Sequence, residues 1–114
     1  MKRDMELIRK ILLAVQDGQS NSSIDGFSDD EVKYNKALAI DHGLVDGAIV
    51  KSSSEIPAAV NIQKLTWTGH DFIDAIASES DWQKVKVFLK DAGKQVTIET
   101  IKVAVSQLFG FSSS

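Results

Sequence analysis

The stretch KALAIDHGLVDGAIV, residues 36–50, decides the fold that the sequence predicts. A helical pattern runs to His42 and stops at Gly43, and the residues that follow are branched and apolar, as in a strand. Glycine readily adopts the positive φ needed just after a helix, and Leu44 can then fold back on Ala39 to close the helix end. The stretch therefore predicts a helix that leads directly into a β-strand.

A second strand follows after a polar tip, so the two strands predict a β-hairpin. Residues 44–51 read as the first strand, residues 52–57 (SSSEIP) as the tip and residues 58–65 (AAVNIQKL) as the returning strand. Asp46-Gly47 signals a turn or a bulge. A helix followed by a hairpin predicts a winged helix-turn-helix, in which the helix enters the major groove of DNA and the hairpin is the wing.

Two helices are predicted before the hairpin. The first spans residues 4–16, with an apolar stripe on one side and polar residues on the other: Ile8, Ile11, Leu12 and Val15 against Glu6, Arg9, Lys10 and Gln16. A polar loop follows, with room for a short strand near Ile24. The second helix begins at Ser28, which forms a capping box with Glu31, and its Lys36 falls on the side that should face the core.

Three helices are predicted after the hairpin. The first is capped by Thr66 or Thr68, contains Gly69 for close packing or a bend, and buries Phe72, Ile73 and Ile76. The next is capped by Asp81, with inward Trp82, Val85, Phe88 and Leu89 and outward Lys84, Lys86 and Lys90. The last begins at Thr97 and buries Ile98, Ile101, Val105 and Leu108. These helices form a C-terminal extension of the winged helix.

Length and composition predict one α+β domain of residues 1–114, with a winged-helix core at about residues 3–78 and C-terminal helices at about 81–109. The 43% hydrophobic and 25% charged fractions are those of a soluble protein, and no apolar run is long enough to span a bilayer. The N-terminus resembles a signal peptide, but Asp4 and Glu6 interrupt it. The sequence therefore predicts a cytoplasmic protein that does not contact a membrane.

Three motifs resemble a family of small bacterial and phage proteins of unknown function: MKRDMELIRKILL at residues 1–13, HGLVDG at 42–47, and LTWTGHDFIDAI followed by DWQKVK at 65–76 and 81–86. That family is similar in turn to the YjcQ-like winged-helix proteins. The resemblance implies a winged-helix fold and an origin in phages, prophages or other mobile elements, without implying an activity.

Catalytic patterns are weak, so the sequence predicts that the protein is not an enzyme and has no cofactor. His42 and His70 have no Cys, Asp or Glu at a familiar metal-ligand spacing, and the seven glycines form no phosphate-binding loop. The chain has no cysteine. Function is expected to lie in binding.

Double-stranded DNA is the first predicted partner. The predicted contacts lie on the second helix and the wing: Lys33, Tyr34, Asn35 and Lys36, and Lys51, Ser52, Ser53 and Lys64. Lys2, Arg3, Arg9 and Lys10 add positive charge on the first helix. Asp29, Asp30 and Glu31 at the leading end of the second helix, and the net charge of −3, oppose phosphate binding.

The alternative is a winged helix that binds a host or phage protein without nucleic acid, which the acidic balance favours. The last helix is predicted to support a homodimer. Most of the large aromatic residues in the second half of the chain are expected to lie in the core: Trp67, Trp82, Phe88, Phe109 and Phe111.

Overall fold

The computed structural model describes residues 1–110, which form five α-helices and one two-stranded antiparallel sheet. In chain order the elements are α1 Met5–Gln16, α2 Asp29–Asp41, β1 Val45–Val50, β2 Ala59–Leu65, α3 Trp67–Ile76, α4 Glu79–Asp91 and α5 Ile98–Phe109. The predicted α+β class is confirmed. The order of helix, helix, hairpin and helix is compatible with a winged helix.

The end of α2 has the predicted glycine reversal. Gly43 has φ of 72°, and its N–H donates to the Ile40 carbonyl at 3.0 Å. The Leu44 N–H donates to the Ala39 carbonyl, also at 3.0 Å, and both of these residues are fully buried. This pair of hydrogen bonds is a Schellman motif, in which the apolar contact between its ends fixes the exit direction of the chain. The strand β1 starts one residue later.

The hairpin contains the predicted bulge. Asp46 pairs with Lys64 and Gly47 pairs with Ile62, so β2 has one extra residue, Gln63, between them. Because the extra residue shifts the alternation by one, Ile62 and Leu65 both point into the core, with 2% and 6% of their surface exposed. A Cβ at Gly47 would lie 3.0 Å from the Ile62 Cα, so the close approach of the strands requires glycine.

The first turn of α3 is joined to the end of α2. The Thr66 hydroxyl accepts from the Gly69 N–H at 2.9 Å and donates to the Gly43 carbonyl at 2.5 Å, so Thr66 is the helix cap. The Thr66 N–H donates to the Leu44 carbonyl at 3.1 Å. Gly69 is buried, and a Cβ there would lie 2.9 Å from the Leu44 carbonyl carbon and closer still to its oxygen. The predicted role of Gly69 in close packing is confirmed.

The chain divides into two compact units, Met1–Ile73 and a second that begins at Asp74. In the first unit α1 packs on α2 and β2, and α2 packs on both strands. Its buried apolar residues are Met5, Leu7, Ile8, Ile11, Leu12, Val32, Ala39, Leu44, Val45, Ile62, Leu65, Phe72 and Ile73. The prediction of a single domain stays a prediction.

Three expectations for the first unit are corrected. Arg9, expected on the wet side of α1, is only 6% exposed, because it lies one helical turn from both Met5 and Leu12, which are buried. Val15, expected in the buried stripe, is half-buried near the end of the helix. Residues 17–27 form turns and irregular structure, with no strand at Ile24.

In the second unit α4 packs on α5. The cap of α4 is Ser78, whose hydroxyl accepts from the Asp81 N–H at 3.0 Å, so the helix begins three residues earlier than the predicted cap, Asp81, implied. Thr97 caps α5 as predicted, in a box with Thr100. Leu108, predicted to be buried, is 42% exposed, because α5 is near its end there. Trp82, Val85 and Leu89 form the predicted inner face of α4, which Phe88 joins only in part.

Candidate interaction surfaces

Asn35, a predicted DNA contact on α2, is a structural residue. It is only 1% exposed. Its Oδ1 accepts from the Asp4 N–H at 2.9 Å, and its Nδ2 donates to the Glu31 carbonyl at 2.9 Å. Asp4 is itself the cap of α1, accepting from the Leu7 N–H. The Asn35 amide therefore ties the start of α1 to α2, and burial removes it from the predicted contacts with bases.

Lys36 is also buried, with 8% of its surface exposed. Its Nζ donates to the Ser20 carbonyl at 2.9 Å, across the loop that joins α1 to α2. Burial lowers the pKa of Lys36 below its usual 10.5, because removal from water disfavours the ammonium form. The predicted position of Lys36 on the inner side of α2 is confirmed. Because this burial encloses the ammonium group, the predicted contact of Lys36 with DNA is corrected.

Of the four predicted DNA contacts on α2, Lys33 and Tyr34 lie on its outer side. Lys33 and Tyr34 are half-buried, and the Lys33 Nζ lies 3.9 Å from an Asp30 carboxylate oxygen. Asp29 and Asp30 are exposed in the first turn of the helix. A groove-reading helix normally presents its first turn to phosphates, which these carboxylates repel. The leading end of α2 therefore suits a positively charged surface better than a duplex.

The wing carries its two lysines at opposite ends. Lys51 follows β1 at the tip, whereas Lys64 lies beside Asp46 at the base of the hairpin. With about five residues of strand between them at roughly 3.3 Å each, they lie about 17 Å apart. The Ser52 hydroxyl donates to the Ile56 carbonyl at 2.6 Å and accepts from the Ser54 N–H, so it holds the tip together. The wing has exposed positive charge, but not as one patch.

The basic residues of the N-terminal region differ in how far their side chains are exposed. Lys2 and Arg3 are exposed, and Arg9 is buried. The Lys10 Nζ lies 5.6 Å from the centre of the Phe27 ring, a cation–π distance. Lys2, Arg3 and Lys10 are therefore exposed as predicted, whereas Arg9 is not.

Trp67 is the largest departure from the expected core. It is the first residue of α3 and 87% exposed, whereas Trp82 is fully buried. At 100° per residue, Trp67 lies about 170° from the stripe of Phe72, Ile73 and Ile76. This periodicity could have identified it as exposed. His70 and Asp71 are exposed on the same outer face, so an indole and a carboxylate are displayed together.

The second unit displays a groove along α4. It has a volume of ≈ 730 Å³ and is lined by Gln83, Lys84, Val87, Phe88, Asp91, Ala92 and Leu108. Val87 is 55% exposed and Leu108 42%. Phe109 is half-buried, and Phe111 lies outside the described residues. The groove therefore combines exposed apolar side chains, Val87 and Leu108, with the polar side chains of Gln83, Lys84 and Asp91.

Both His42 and His70 are exposed. Across residues 1–110, no three His, Asp or Glu side chains come together closely enough to hold a metal ion. None of the helices in this same range is long and apolar enough to cross a bilayer.

Comparison with known proteins places the sequence among uncharacterised relatives. Residues 2–95 match the family model described as "Hypothetical protein (DUF2513)". An uncharacterized protein from Haemophilus influenzae is 29% identical over 108 residues, which cover 90% of each chain. No solved structure matches the chain significantly.

Proposed function

The chain belongs to the DUF2513 family of hypothetical proteins, and from that premise we propose that it is a non-enzymatic winged-helix module that binds another protein. In this proposal α2 occupies the reading position, the hairpin of β1 and β2 is the wing, and the fold is similar to that of the YjcQ-like proteins. The protein acts in the cytoplasm on behalf of a phage, prophage or other mobile element, and its partner is a host or phage protein.

The exposed indole of Trp67 is the observation that carries the proposal. A tryptophan buries about 150–250 Å² when it is enclosed, which at about 25 cal/mol per Å² is worth roughly 4–6 kcal/mol. Exposed tryptophans are costly to leave in water and are among the residues that most often dominate protein interfaces. Trp67 is 87% exposed on a helix whose other face is in the core.

The chemistry around Trp67 favours a basic partner segment. Asp71 lies one turn along α3 from Trp67, so an arginine could stack on the indole while its guanidinium pairs with the carboxylate. The exposed Asp29 and Asp30 at the start of α2 have the same sign of charge. A partner with an arginine-containing surface fits these features better than a polyanion does.

Site-specific crosslinking tests this proposal. A photoreactive amino acid at His70, exposed on the same outer face as Trp67, should capture one discrete protein in cells, and the same group should capture much less in a chain that also carries Trp67→Ala. The captured protein, once purified, should bind the wild-type chain directly. Trp67→Ala should weaken that binding by about 2 kcal/mol or more, roughly 30-fold, and Asp71→Asn less, whereas Thr68→Ala should leave it unchanged. Equal binding by the Trp67→Ala variant would refute the proposal.

DNA binding is the second candidate function, because Lys51 and Lys64 are exposed on the wing. With the exposed Ser52 and Ser53 on the wing and the half-buried Lys33 and Tyr34 on α2, they are the predicted contacts that remain accessible. Binding through two or three lysines should show a slope of log K against log salt of about −2 to −3. Titration of a labelled duplex at low salt measures this slope. A bound duplex that is lost in a Lys51→Glu, Lys64→Glu variant and kept in Trp67→Ala would favour this candidate over the first.

A further inference from the structure

The N-terminal segment lies against the tip of the wing. The Met1 α-amino group donates to a carboxylate oxygen of Glu55, which is in the tip between β1 and β2. Lys2 and Arg3 follow Met1 by one and two residues, which is at most about 4 and 8 Å along the chain. The contact therefore brings both basic residues of the N-terminal segment to the end of the first unit that carries the tip.

Lys51 lies at this end as well, because it begins the tip. The Ser52 hydroxyl donates to the Ile56 carbonyl at 2.6 Å, so the tip is a compact turn and not an extended loop. Lys51 and Glu55 are four residues apart, a separation that spans at most about 14 Å even in an extended chain. Three basic residues that are far apart in the sequence are thus gathered around Glu55.

The positive charges at this end are accessible, whereas the negative charges beside them are engaged. Lys2, Arg3 and Lys51 are all exposed. The Glu55 carboxylate is paired with the α-amino group, and the Asp4 carboxylate caps the first turn of α1. The chain as a whole has a net charge of −3, so this end is locally positive on an acidic protein.

We propose that Lys2, Arg3 and Lys51 form one site for the phosphate groups of a nucleic-acid backbone. A duplex carries one negative charge per about 1.7 Å of its axis, so a surface about 15 Å across faces several phosphates at once. Neither residues 1–4 nor residues 51–57 include an aromatic side chain on which a base could stack, so the site contacts the backbone and not the bases. An anionic membrane fits less well, because clusters that bind lipid headgroups usually hold about 4–8 basic residues.

The site is weak, independent of base sequence and distinct from the other surfaces. Non-specific binding of this kind has a Kd of about 10⁻⁴–10⁻⁶ M, and three phosphate contacts give a slope of log K against log salt of about −2.7. Lys64 is outside the site, because it lies beside Asp46 at the base of the hairpin, about 17 Å from Lys51. Trp67 follows β2 at the same base, so the protein-binding surface shares no residue with the site.

Titration of a labelled duplex of about 16 base pairs at about 50 mM salt tests the site. Lys51→Gln should lower the affinity about 5- to 10-fold, and a chain with both Lys2→Gln and Arg3→Gln about 25- to 100-fold, because each change removes one phosphate contact. The salt slope should become less steep by about 0.9 for each basic residue removed. Lys64→Gln is the matched control, exposed on the same hairpin, and should change the affinity by less than about 2-fold.

Three results would overturn the proposal. The first is a wild-type chain that does not bind the duplex at about 200 µM protein. The second is a Lys64→Gln variant that loses as much affinity as Lys51→Gln. The third is retention on vesicles of phosphatidylcholine with about 30% phosphatidylserine by a chain that leaves the duplex unbound, which would assign these cations to lipid. Trp67→Ala should leave the duplex affinity unchanged, so a failure of the protein-binding proposal would not alter this test.

Discussion

Replacing Gly69 with alanine should strongly destabilise the fold, although alanine is the better helix former. In helix α3 the exchange itself favours the helix by about 1 kcal/mol. The added methyl group, however, overlaps the Leu44 carbonyl. That carbonyl belongs to backbone held by the Schellman hydrogen bond at Ala39, so it cannot rotate away as a flexible side chain would.

The expected loss of stability follows from the displacement of α3 that the added methyl group requires. To relieve the overlap, α3 has to withdraw by about 1 Å, which a close-packed interior resists. The withdrawal weakens two hydrogen bonds of Thr66, to the Leu44 and Gly43 carbonyls, each worth about 1 kcal/mol. Overpacking adds about 1–3 kcal/mol. After subtraction of the helix-propensity gain, the free energy of unfolding should fall by about 2–4 kcal/mol.

Urea unfolding followed by far-UV circular dichroism measures this change. At a slope of about 2 kcal/mol per M, the midpoint should fall by about 1–2 M with little change in slope. Thr68→Ala, one residue away and exposed, should change the free energy of unfolding by less than about 0.5 kcal/mol. A Gly69→Ala midpoint equal to or above that of the wild type would refute the close contact between α3 and Leu44.

Three further predictions concern buried polar and glycine positions. Lys36→Met should be more stable than the wild type at pH 7, and the difference in free energy of unfolding should shrink as the pH rises toward 10.5. The reason is that the pKa of Lys36 is lowered in the folded state, so the folded wild type loses this proton at a lower pH than the unfolded chain and gains stability as the pH rises. Paired denaturant titrations at pH 7 and 10 measure the difference, and a difference that is independent of pH would contradict the prediction. Asn35→Ala should lower the free energy of unfolding by about 2–3 kcal/mol, because it leaves the Asp4 N–H without its acceptor. Asn21→Ala, in an exposed loop, should leave the free energy of unfolding almost unchanged. Thermal unfolding of the two variants measures both changes. Gly47→Ala should cost about 1–3 kcal/mol by forcing the strands apart at the bulge, and unchanged amide-exchange protection across the hairpin would count against this.

Much of the architecture could be predicted because the interactions that define it are local. The Ser28 hydroxyl and the Glu31 carboxylate satisfy each other's N–H groups three residues apart, at 3.1 and 2.9 Å. The Schellman motif joins residues five apart. Such contacts depend on residue type and spacing alone, so a capping box and a helix-ending glycine mark boundaries before any tertiary structure is known.

The candidate sites could not be predicted in this way, because the face of a helix that turns inward is set by distant partners. The weak periodicity of α2 arises because polar residues are used inside it: Asn35 is satisfied by Asp4, 31 residues away, and Lys36 by Ser20, 16 residues away. A buried polar group is tolerated only where such a partner is supplied. The sequence by itself therefore determined most of the helix and strand boundaries, though not the start of α4. Only the tertiary structure decided which polar side chains of α2 are enclosed and which side chains, Trp67 above all, remain available for binding, because that depends on contacts between segments far apart in the chain.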